Sequence, residues 1–580
     1  MTNESVAPSE APRSRFVSDR GYAAVLVALV LVPLMGFAGL AVDIGAWYSR
    51  ASSLQRAADA AALAGVVWQP DFATAEANAR QEAARNGFVD GVDGISVNIV
   101  DTGLNELEVE IIDSDADMFF ASLFLDNVSI SRHSVAEYTK SIPMGNPDNY
   151  LGTDPEAGIS EQNYLSISGA NTDKKGGDRH ASKRCDGSTA LCTNGALGNL
   201  VVNGGEFDEN GYTYSVSVNT IYASPLVFQV YDPGFYEAEQ SCNPGGGSNM
   251  PPGYDFNDLL AGGLGAMFPG DGFTDPARVA HWTERYANSP GAIYCSGDTP
   301  SNGAGSITSF YVRAPDNTPF NILDNPIIST GTCSPQQFGA YDEPFYDLLE
   351  QVGTAHPYAD TFAAEFRRWV QICEIPAGQV VLGDYIIQVR TNASAGAPTF
   401  YDPSYNQGGR NHFSLRAGYD TGGSAPDGTG VELFATGTMA IDVNVPGAST
   451  VMELAKITPE YAGRTLRIEL WDVGDAAAAG VLTILPPVES PSAFSNCRFT
   501  NTNGGWSDGD PTDCSAIVSS AMNGNLLTIE VDLPSGYTCN PAIVTGCFVR
   551  VQVAFPAGTT VYDHTTWAVD VVGDPVRLLE

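Results

Sequence analysis

The sequence predicts a single N-terminal transmembrane helix that continues into a small α+β unit and is followed by a mainly-β ectodomain, built as two β-sandwich modules. Three observations predict this fold class. Residues 22–42 form an uncharged, mostly apolar run of 21 residues, which is long enough to cross a bilayer as a helix. All 10 cysteines follow this run. Beyond residue 160, alternating apolar segments are separated by Gly, Pro, Asn and Asp, as in sandwiches and barrels.

The residues that flank the apolar run predict its orientation. Arg13, Arg15 and Arg20 precede it, and Asp43 follows it at once. Positive-inside bias then places the short, disordered N-terminal stub in the cytoplasm and the long remainder outside. The run exceeds the roughly 7–15 residues of a signal-peptide core, and no A-x-A cleavage site follows it. We therefore expect a single-pass protein of the cell membrane with a retained anchor.

The net charge and the cysteine pattern restrict the kinds of partner and site that we expect for this protein. The net charge is −40, with 28 basic and 68 acidic residues, which argues against nucleic acid as a partner. The cysteines are even in number and include no C-x-x-C spacing, so disulfides in an oxidising compartment are favoured over metal sites. The candidate pairs that are close in sequence are Cys185 with Cys192, Cys497 with Cys514, and Cys539 with Cys547.

The segment after the anchor has the periodicity of a compact α+β unit. An amphipathic helix with an alanine stripe emerges from the apolar run, and a second helix lies between Asp71 and Asn86. Two strands, a short apolar helix and a final strand complete the unit near Lys140. The alanine stripe is compatible with packing on the protein's own domain and with packing on a partner helix.

The emergent helix carries a motif that resembles the N-terminal region of TadE/TadG-like proteins of the Tad (Flp) pilus-assembly system. The matching stretch is DIGAWYSRASSLQRAADAAALAG, residues 43–65, and the likeness extends over about residues 13–140. Its motif positions are Asp43, Gly45, Tyr48, Leu54, Gln55, Ala58 and Asp59. The resemblance implies a pilin-like α+β unit, a membrane location, and pilus or Tad-machinery subunits as partners.

The sequence departs from that family's patterns in two respects, which concern proteolytic processing and a metal motif. Pilin-type precursors carry Glu five residues after the processing Gly, whereas Leu26 stands in that place after Gly21. We therefore expect no prepilin-peptidase cleavage. The D-x-S-x-S metal motif of the von Willebrand A domains that many TadG-like proteins carry is absent from the sequence.

The predicted domains follow from these boundaries and from an internal likeness in the second half. Segment 225–234 resembles 465–474, and the strands at 385–396 and 411–418 resemble those at 547–558 and 565–573. The complete division has a cytoplasmic stub at 1–20, a transmembrane helix at 21–42, the α+β unit at 43–140, a linker at 141–160, a β-sandwich module with a long insertion at 155–420, and a second module at 430–580.

Candidate chemistry is sparse, and we expect no enzyme, no catalytic residues and no resident cofactor. The G-x-S-x-G pattern around Ser507 lacks a flanking strand and helix, which favours a disulfide-tied loop. The six histidines are scattered, and none pairs with another at helical spacing. Calcium is an open alternative in the sandwich loops, where the candidate ligands are Asp173, Asp178, Asp208, Asp232 and Asp472.

The leading functional hypothesis is therefore a membrane-anchored protein of the Tad pilus-assembly type that displays a disulfide-bonded β-rich domain, in a minor-pilin-like or adhesive role. The alternative is a membrane-tethered surface module that binds calcium or a cell-surface glycan and is unrelated to a pilus.

Overall fold

The computed structural model describes residues 20–579 with gaps. The longer gaps are 154–161, 170–176, 180–209, 233–298, 301–307, 339–354, 356–368 and 392–408, and the short ones are 70, 104, 319, 334, 424, 447–448, 491–492, 502–503, 506–508, 523, 544 and 574. The chain divides into two compact units, one comprising residues 1–139 with 574–580 and the other residues 140–573.

The first unit begins with one long helix. Helix α1 spans Arg20–Val66, so it is roughly 70 Å long at ~1.5 Å per residue. It contains the one stretch in the described residues that is long and apolar enough to cross a membrane, and this stretch is almost entirely exposed. The predicted anchor and the predicted emergent helix are thus one continuous element.

A second helix and three strands complete the sequence-local part of this unit. Helix α2 spans Phe72–Arg85, and the Asp71 side chain caps its start by accepting the Thr74 backbone N–H at 3.2 Å. The strands are β1 (Ile95–Gly103), β2 (Glu106–Asp113) and β3 (Ile130–Tyr138), and they form an antiparallel sheet in the order β1-β2-β3.

The alanine stripe of α1 packs inside this unit. Ala57, Ala58, Ala61 and Ala62 are buried with alanines of α2 and with apolar residues of the sheet such as Leu107. These small side chains let the two helices approach closely. The structure therefore decides between the two interpretations of the stripe, in favour of the protein's own domain.

Apart from three short 3-10 helices, the regular secondary structure described in the second unit consists of strands. They are β4 (Pro143–Met144), β5 (Tyr150–Leu151), β6 (Gln162–Ser168), β7 (Tyr212–Val218), β8 (Leu226–Tyr231), β9 (Thr299–Pro300), β10 (Thr308–Arg313), β11 (Gln336–Phe338), β12 (Trp369–Ile375), β13 (Gly383–Thr391), β14 (Gly409–Tyr419), β15 (Val431–Thr436), β16 (Thr438–Pro446), β17 (Ser449–Lys456), β18 (Thr465–Trp471), β19 (Gly480–Leu485), β20 (Arg498–Asn501), β21 (Gly504–Gly505), β22 (Gly509–Asp510), β23 (Ser515–Val518), β24 (Leu526–Asp532), β25 (Phe548–Ala554) and β26 (Thr560–Val571).

These strands form two antiparallel sheets among the described residues. The eleven-stranded sheet has the order β11-β10-β13-β7-β15-β4-β17-β25-β19-β23-β22. The twelve-stranded sheet has the order β12-β8-β14-β6-β16-β26-β18-β24-β20-β21, with β5 and β9 also paired to β14. One core of buried side chains contains residues of both sheets, and its cross-sheet ring contacts include Tyr214 with Phe413 at 6.1 Å and Phe228 with Tyr385 at 5.7 Å. The mainly-β sandwich expected from the sequence is therefore present.

The internal likeness has a structural counterpart. Strands β8 and β18, from the similar segments 225–234 and 465–474, lie in the same sheet. Strand β8 pairs with β14 (segment 411–418), and β18 pairs in the same way with β26 (segment 565–573). Strands β13 and β25 both lie in the other sheet. The two halves nevertheless share both sheets, because β15 and β16 pair back onto β7 and β6. The predicted module boundary at 420–430 is therefore not a boundary between sheets.

The end of the chain returns to the first unit. Strand β27 (Val576–Leu578) pairs antiparallel with β3, and Arg577 Nε lies 3.0 Å from Glu137 Oε2. The last residues of the predicted second module, 430–580, thus pair with the first unit. In chain order the β-rich unit is an insertion between β3 and β27 of the α+β unit.

Candidate functional site

The most informative site in the described residues lies where α1 leaves its apolar run. Asp43 is the first charged residue after that run, and its side chain is fully buried. Its carboxylate accepts hydrogen bonds from three successive backbone N–H groups, those of Phe119 at 2.7 Å, Phe120 at 2.9 Å and Ala121 at 2.6 Å. Unpaired N–H groups at the start of a helical turn are satisfied well by a carboxylate, so Asp43 caps the 3-10 helix Ala121–Leu123 from a distant part of the chain.

This cap holds an apolar segment, residues 119–125, against the end of the membrane-compatible stretch. The ring of Phe120 lies so close to Gly39 that a Cβ built there would be 2.7 Å from it. Gly39 belongs to the apolar run, so Phe120 reaches the level of its last turn. The Trp47 indole N–H also donates to the Asp117 carbonyl at 3.0 Å, which fixes the segment from the other side.

The apolar segment presents large side chains outward. Leu123 is 77% exposed and Phe124 is 87% exposed, and Phe119 and Leu125 are exposed as well. Adjacent exposed aromatic and leucine side chains of this kind mark an interaction surface. The sequence analysis predicted this segment only as a short apolar helix. Its lack of charged residues between Met118 and Leu125 was the available signal for a surface of this kind.

Several of the motif residues serve the fold of the first unit. Leu54 and Ala58 are fully buried in its core. The Gln55 amide donates to Asp59 Oδ1 at 2.8 Å and to the His133 carbonyl of β3 at 3.0 Å, so this pair ties α1 to the sheet. These motif positions are therefore explained by packing and hydrogen bonding inside the unit.

A salt bridge also attaches α1 to the sheet of the first unit. Arg50 Nε lies 2.7 Å from Asp113 Oδ2 at the end of β2, and the Arg50 guanidinium stacks over the ring of Phe88 at 4.6 Å. Because the Asp113 carboxylate is almost completely buried, loss of Arg50 would leave a buried charge without its ion-pair partner.

The remaining two motif residues point away from the unit. Tyr48 is 80% exposed, and a Cβ built on Gly45 would have no atom within 4 Å. They lie on one stripe of α1 with Ile44, Ser52 and Arg56, which are also exposed, and we call these five residues the outer helix face. Residues at four-residue steps share one side of a helix. Packing inside the described unit does not account for Gly45 and Tyr48.

The predicted calcium ligands are not brought together in the described residues. Asp178 accepts from the Ser168 backbone N–H at 2.7 Å and from the Tyr212 hydroxyl at 2.6 Å, so both of its oxygens are engaged. Burial raises the pKa of Asp472 to about 8, although a hydrogen bond from the Gly524 backbone lowers it. Neither these residues nor Asp232 belong to a described cluster of three or more metal-ligating side chains. The other two candidates, Asp173 and Asp208, lie outside the described residues.

Disulfides join the β-rich unit at three described places. Cys497 is bonded to Cys514 and Cys539 to Cys547, as the sequence analysis paired them. A further disulfide joins Cys333 to Cys373 across 40 residues of sequence, which spacing alone did not indicate.

Two of the sequence-based expectations in this unit fall on residues that the structure does not describe. Cys185 and Cys192 both lie in the gap 180–209, so the predicted bond between Cys185 and Cys192 stays a prediction. Ser507 lies in the gap 506–508, although the disulfide between Cys497 and Cys514 closes the loop that contains it.

The fold and this site define a class: a single-pass membrane protein whose anchor helix continues into a small α+β unit that carries a large disulfide-bonded β domain. Residues 21–79 match the family model described as "Putative Flp pilus-assembly TadE/G-like". This match covers the N-terminal region that carries the motif, so the predicted resemblance of that region to TadE/TadG-like proteins is confirmed. No curated protein and no solved structure shows significant similarity to the chain.

Proposed function

We propose that this chain is a non-enzymatic component of a Tad-type pilus or of its assembly machinery, and that its β-rich unit is displayed outside the cytoplasm in a minor-pilin-like or adhesive role. The observation that carries the proposal is the division of the motif residues. Most of them build the α+β unit, whereas Gly45 and Tyr48 lie on the exposed outer helix face.

The outer helix face is suited to a partner helix. Gly45 removes side-chain bulk beside the exposed Ile44 and Tyr48, so another helix could approach the backbone closely and bury the aromatic ring. The face begins one residue after Asp43, at the end of the apolar run, where helices of a membrane-embedded assembly would meet it. This position supports pilus or Tad-machinery helices as the partners.

The exposed apolar segment supports close seating on the bilayer. Phe120 packs beside Gly39 in the membrane-compatible stretch, so Phe119, Leu123 and Phe124 lie at the level where that stretch ends. Aromatic side chains are favoured at the membrane–water interface. In this proposal the bilayer interface covers these side chains, and the α+β unit sits directly on the membrane.

The arginines before the anchor and the three disulfides support the same orientation. Positive-inside bias keeps the Arg-bearing N-terminus in the cytoplasm, and disulfides persist where thiols are not kept reduced. The β-rich unit then lies on the opposite side, where it could contact a surface or a cell-surface glycan.

A complementation experiment tests the proposal. A strain that lacks the gene would be complemented with the native chain, Gly45→Leu, Tyr48→Ala or the control Val100→Ala, which alters an exposed side chain on β1. Since a side chain at position 45 meets no atom of the described chain, Gly45→Leu should fold normally and act only on a partner. We expect the deletion to reduce piliation and surface attachment, and the two variants on the outer helix face to fail to restore them.

Immunoblots of membrane fractions would show that all variants reach equal levels, and electron microscopy would count pili. Normal pili and attachment in the deletion strain would contradict the pilus assignment. In that event, binding of glycan by the complete protein in nanodiscs would favour the tethered surface module instead. Full rescue by both variants on the outer helix face would contradict its role in partner binding.

A further inference from the structure

Three strands of the twelve-stranded sheet bring two histidines and an aspartate together. His412 lies on β14, Asp442 on β16 and His564 on β26. Asp442 and His564 are direct cross-strand partners. Strand β6 lies between β14 and β16, and it places Ser166 opposite His412 and Tyr164 opposite Asp442. Because residues two apart on a strand point to the same side, the three side chains share one face of the sheet.

The two histidine–aspartate distances within this cluster are close to those between ligands of one small cation. His564 Nδ1 lies 3.2 Å from Asp442 Oδ1, and His412 Nε2 lies 3.6 Å from Asp442 Oδ2. One potential ligand atom from each residue lies within 4.8 Å of the others. In a tetrahedral site with zinc–ligand bonds of about 2.0–2.2 Å, neighbouring ligand atoms are about 3.3–3.6 Å apart.

His412 and Asp442 are buried, His564 is 24% exposed, and two polar atoms of the cluster lack hydrogen bonds among the described residues. His412 and Asp442 are each only 2% exposed, and the two imidazole rings stack in parallel with centroids 5.5 Å apart. Asp442 Oδ2 and His564 Nδ1 have no hydrogen-bond partner among the described residues. Leaving a buried polar atom unsatisfied is costly, so such atoms in native proteins call for a water, an ion or a ligand.

Acidic side chains outnumber the basic side chain beside the cluster. Arg410, half-buried on β14, interacts electrostatically with Asp442, Asp178, Asp472 and Asp475, so this guanidinium faces four acidic residues. A divalent cation beside Asp442 would offset this excess and favour the ionised carboxylate.

We propose that His412, Asp442 and His564 form a binding site for a divalent transition-metal cation of the zinc type. Imidazole nitrogen with a single carboxylate suits zinc and related ions, whereas calcium prefers oxygen ligands alone. The ion joins β14 to β16 and β26, so it braces the sheet across the two halves of the β-rich unit. This inference concerns the β-rich unit alone and does not depend on the pilus assignment.

Local sequence spacing does not reveal this site. The three residues are far apart in the chain and have no metal-binding spacing such as H-x-x-x-H. They meet only through the pairing of β14, β6, β16 and β26.

Metal binding by the complete protein in nanodiscs tests the proposal. The protein would carry a tag without histidines, keep its disulfides oxidised, be stripped with a chelator, and then be dialysed against zinc. Bound zinc would be measured by elemental mass spectrometry, and affinity by competition with a chromophoric chelator. We expect one zinc per chain, and at least about tenfold weaker binding in Asp442→Asn and in His564→Gln, since each loses one of three protein ligands.

One variant serves as a matched control. His133→Gln removes an exposed histidine of the α+β unit, far from the cluster in sequence and in a different compact unit. It should bind zinc as the native chain does. Near-UV circular dichroism would compare the folding of all variants.

X-ray absorption of the zinc-loaded native protein does not depend on any variant. It should show two imidazole ligands with nitrogen and oxygen donors. Failure of the native chain to bind zinc at a one-to-one ratio, a spectrum without imidazole, or unchanged affinity in both folded cluster variants would overturn the proposal.

Discussion

The Asp43 carboxylate accepts a hydrogen bond of 2.6 Å from the backbone N–H of Ala121, which lies 78 residues later in the chain. This contact attaches the apolar segment 119–125 to the point where α1 leaves its membrane-compatible stretch. It also gives a physical reason for an aspartate at this motif position, because three N–H groups converge on one buried carboxylate.

Replacing Asp43 with Asn should loosen the apolar segment without unfolding the α+β unit. Asn offers one neutral acceptor in place of two charged oxygens, and hydrogen bonds to ionised groups are the stronger kind. We expect amide hydrogen exchange of Phe119, Phe120 and Ala121 to become faster by roughly one order of magnitude. Exchange in β2 should change little, and equal protection of the three amides in both proteins would show that Asp43 does not hold the segment.

The exposed side chains of residues 119–125 should contact lipid. If the bilayer interface covers Leu123 and Phe124, lipids that carry a photoreactive group in the acyl chain will label this segment in nanodiscs. Peptide mass spectrometry would locate the adducts. Val89 and Val92, which are also exposed on the α+β unit, provide an internal control that should remain unlabelled. Equal labelling of both regions would contradict seating of this segment on the membrane.

Removing residues 574–580 should destabilise the sheet of the α+β unit. The deletion takes away β27, exposes the edge of β3, and breaks the backbone hydrogen bonds between Leu579 and Val135 and between Thr139 and Pro575. We expect faster hydrogen exchange in β3. The control Arg577→Ala removes only a partly exposed ion pair with Glu137, worth about 0.2–1 kcal/mol, so exchange should stay near native. Similar effects of the deletion and of Arg577→Ala on exchange in β3 would mean that pairing with β27 adds little to the stability of the sheet.

Asp472 should make the β-rich unit less stable as the pH rises. Burial raises its pKa to about 8, and the neighbouring Asp475 and Asp563 act in the same direction, while the Gly524 hydrogen bond and Arg410 oppose it. The unfolded chain releases this proton near pH 3.9, so between about pH 4 and pH 8 the folded state holds one more proton than the unfolded state. The stability from this group is therefore complete below pH 4 and decreases by about 1.4 kcal/mol per pH unit until pH 8.

Asp472→Asn should remove this dependence and keep the acceptor for the Gly524 N–H. We expect the variant to gain stability relative to the native protein as the pH is raised from 5 to 8. Chemical denaturation at several pH values measures the difference, and the difference isolates Asp472 from other groups that titrate in the same range. A difference that stays constant with pH would show that Asp472 is already ionised in the folded protein.

Local patterns predicted much of the first unit. The length of the apolar run, the Asp71 cap and the alternation in β1 and β2 predict elements that the structure contains, because each depends on residues close in sequence. The disulfides Cys497–Cys514 and Cys539–Cys547 were predictable for the same reason, because each joins cysteines that are close in sequence. The candidate site was predicted only in part, since the motif located α1 but did not show which of its residues face inward.

The sequence by itself determined that this protein has one apolar anchor, a TadE/TadG-like helix after it, and a cysteine-bearing β-rich remainder, because composition and short-range periodicity encode these properties. Only the tertiary structure decided that Asp43 caps a distant turn, that the alanine stripe packs inward, that β27 completes the first sheet, and that His412 meets His564. Each of these depends on which strands and helices pair over long separations, and that choice is made by the packing of the whole core rather than by any local pattern.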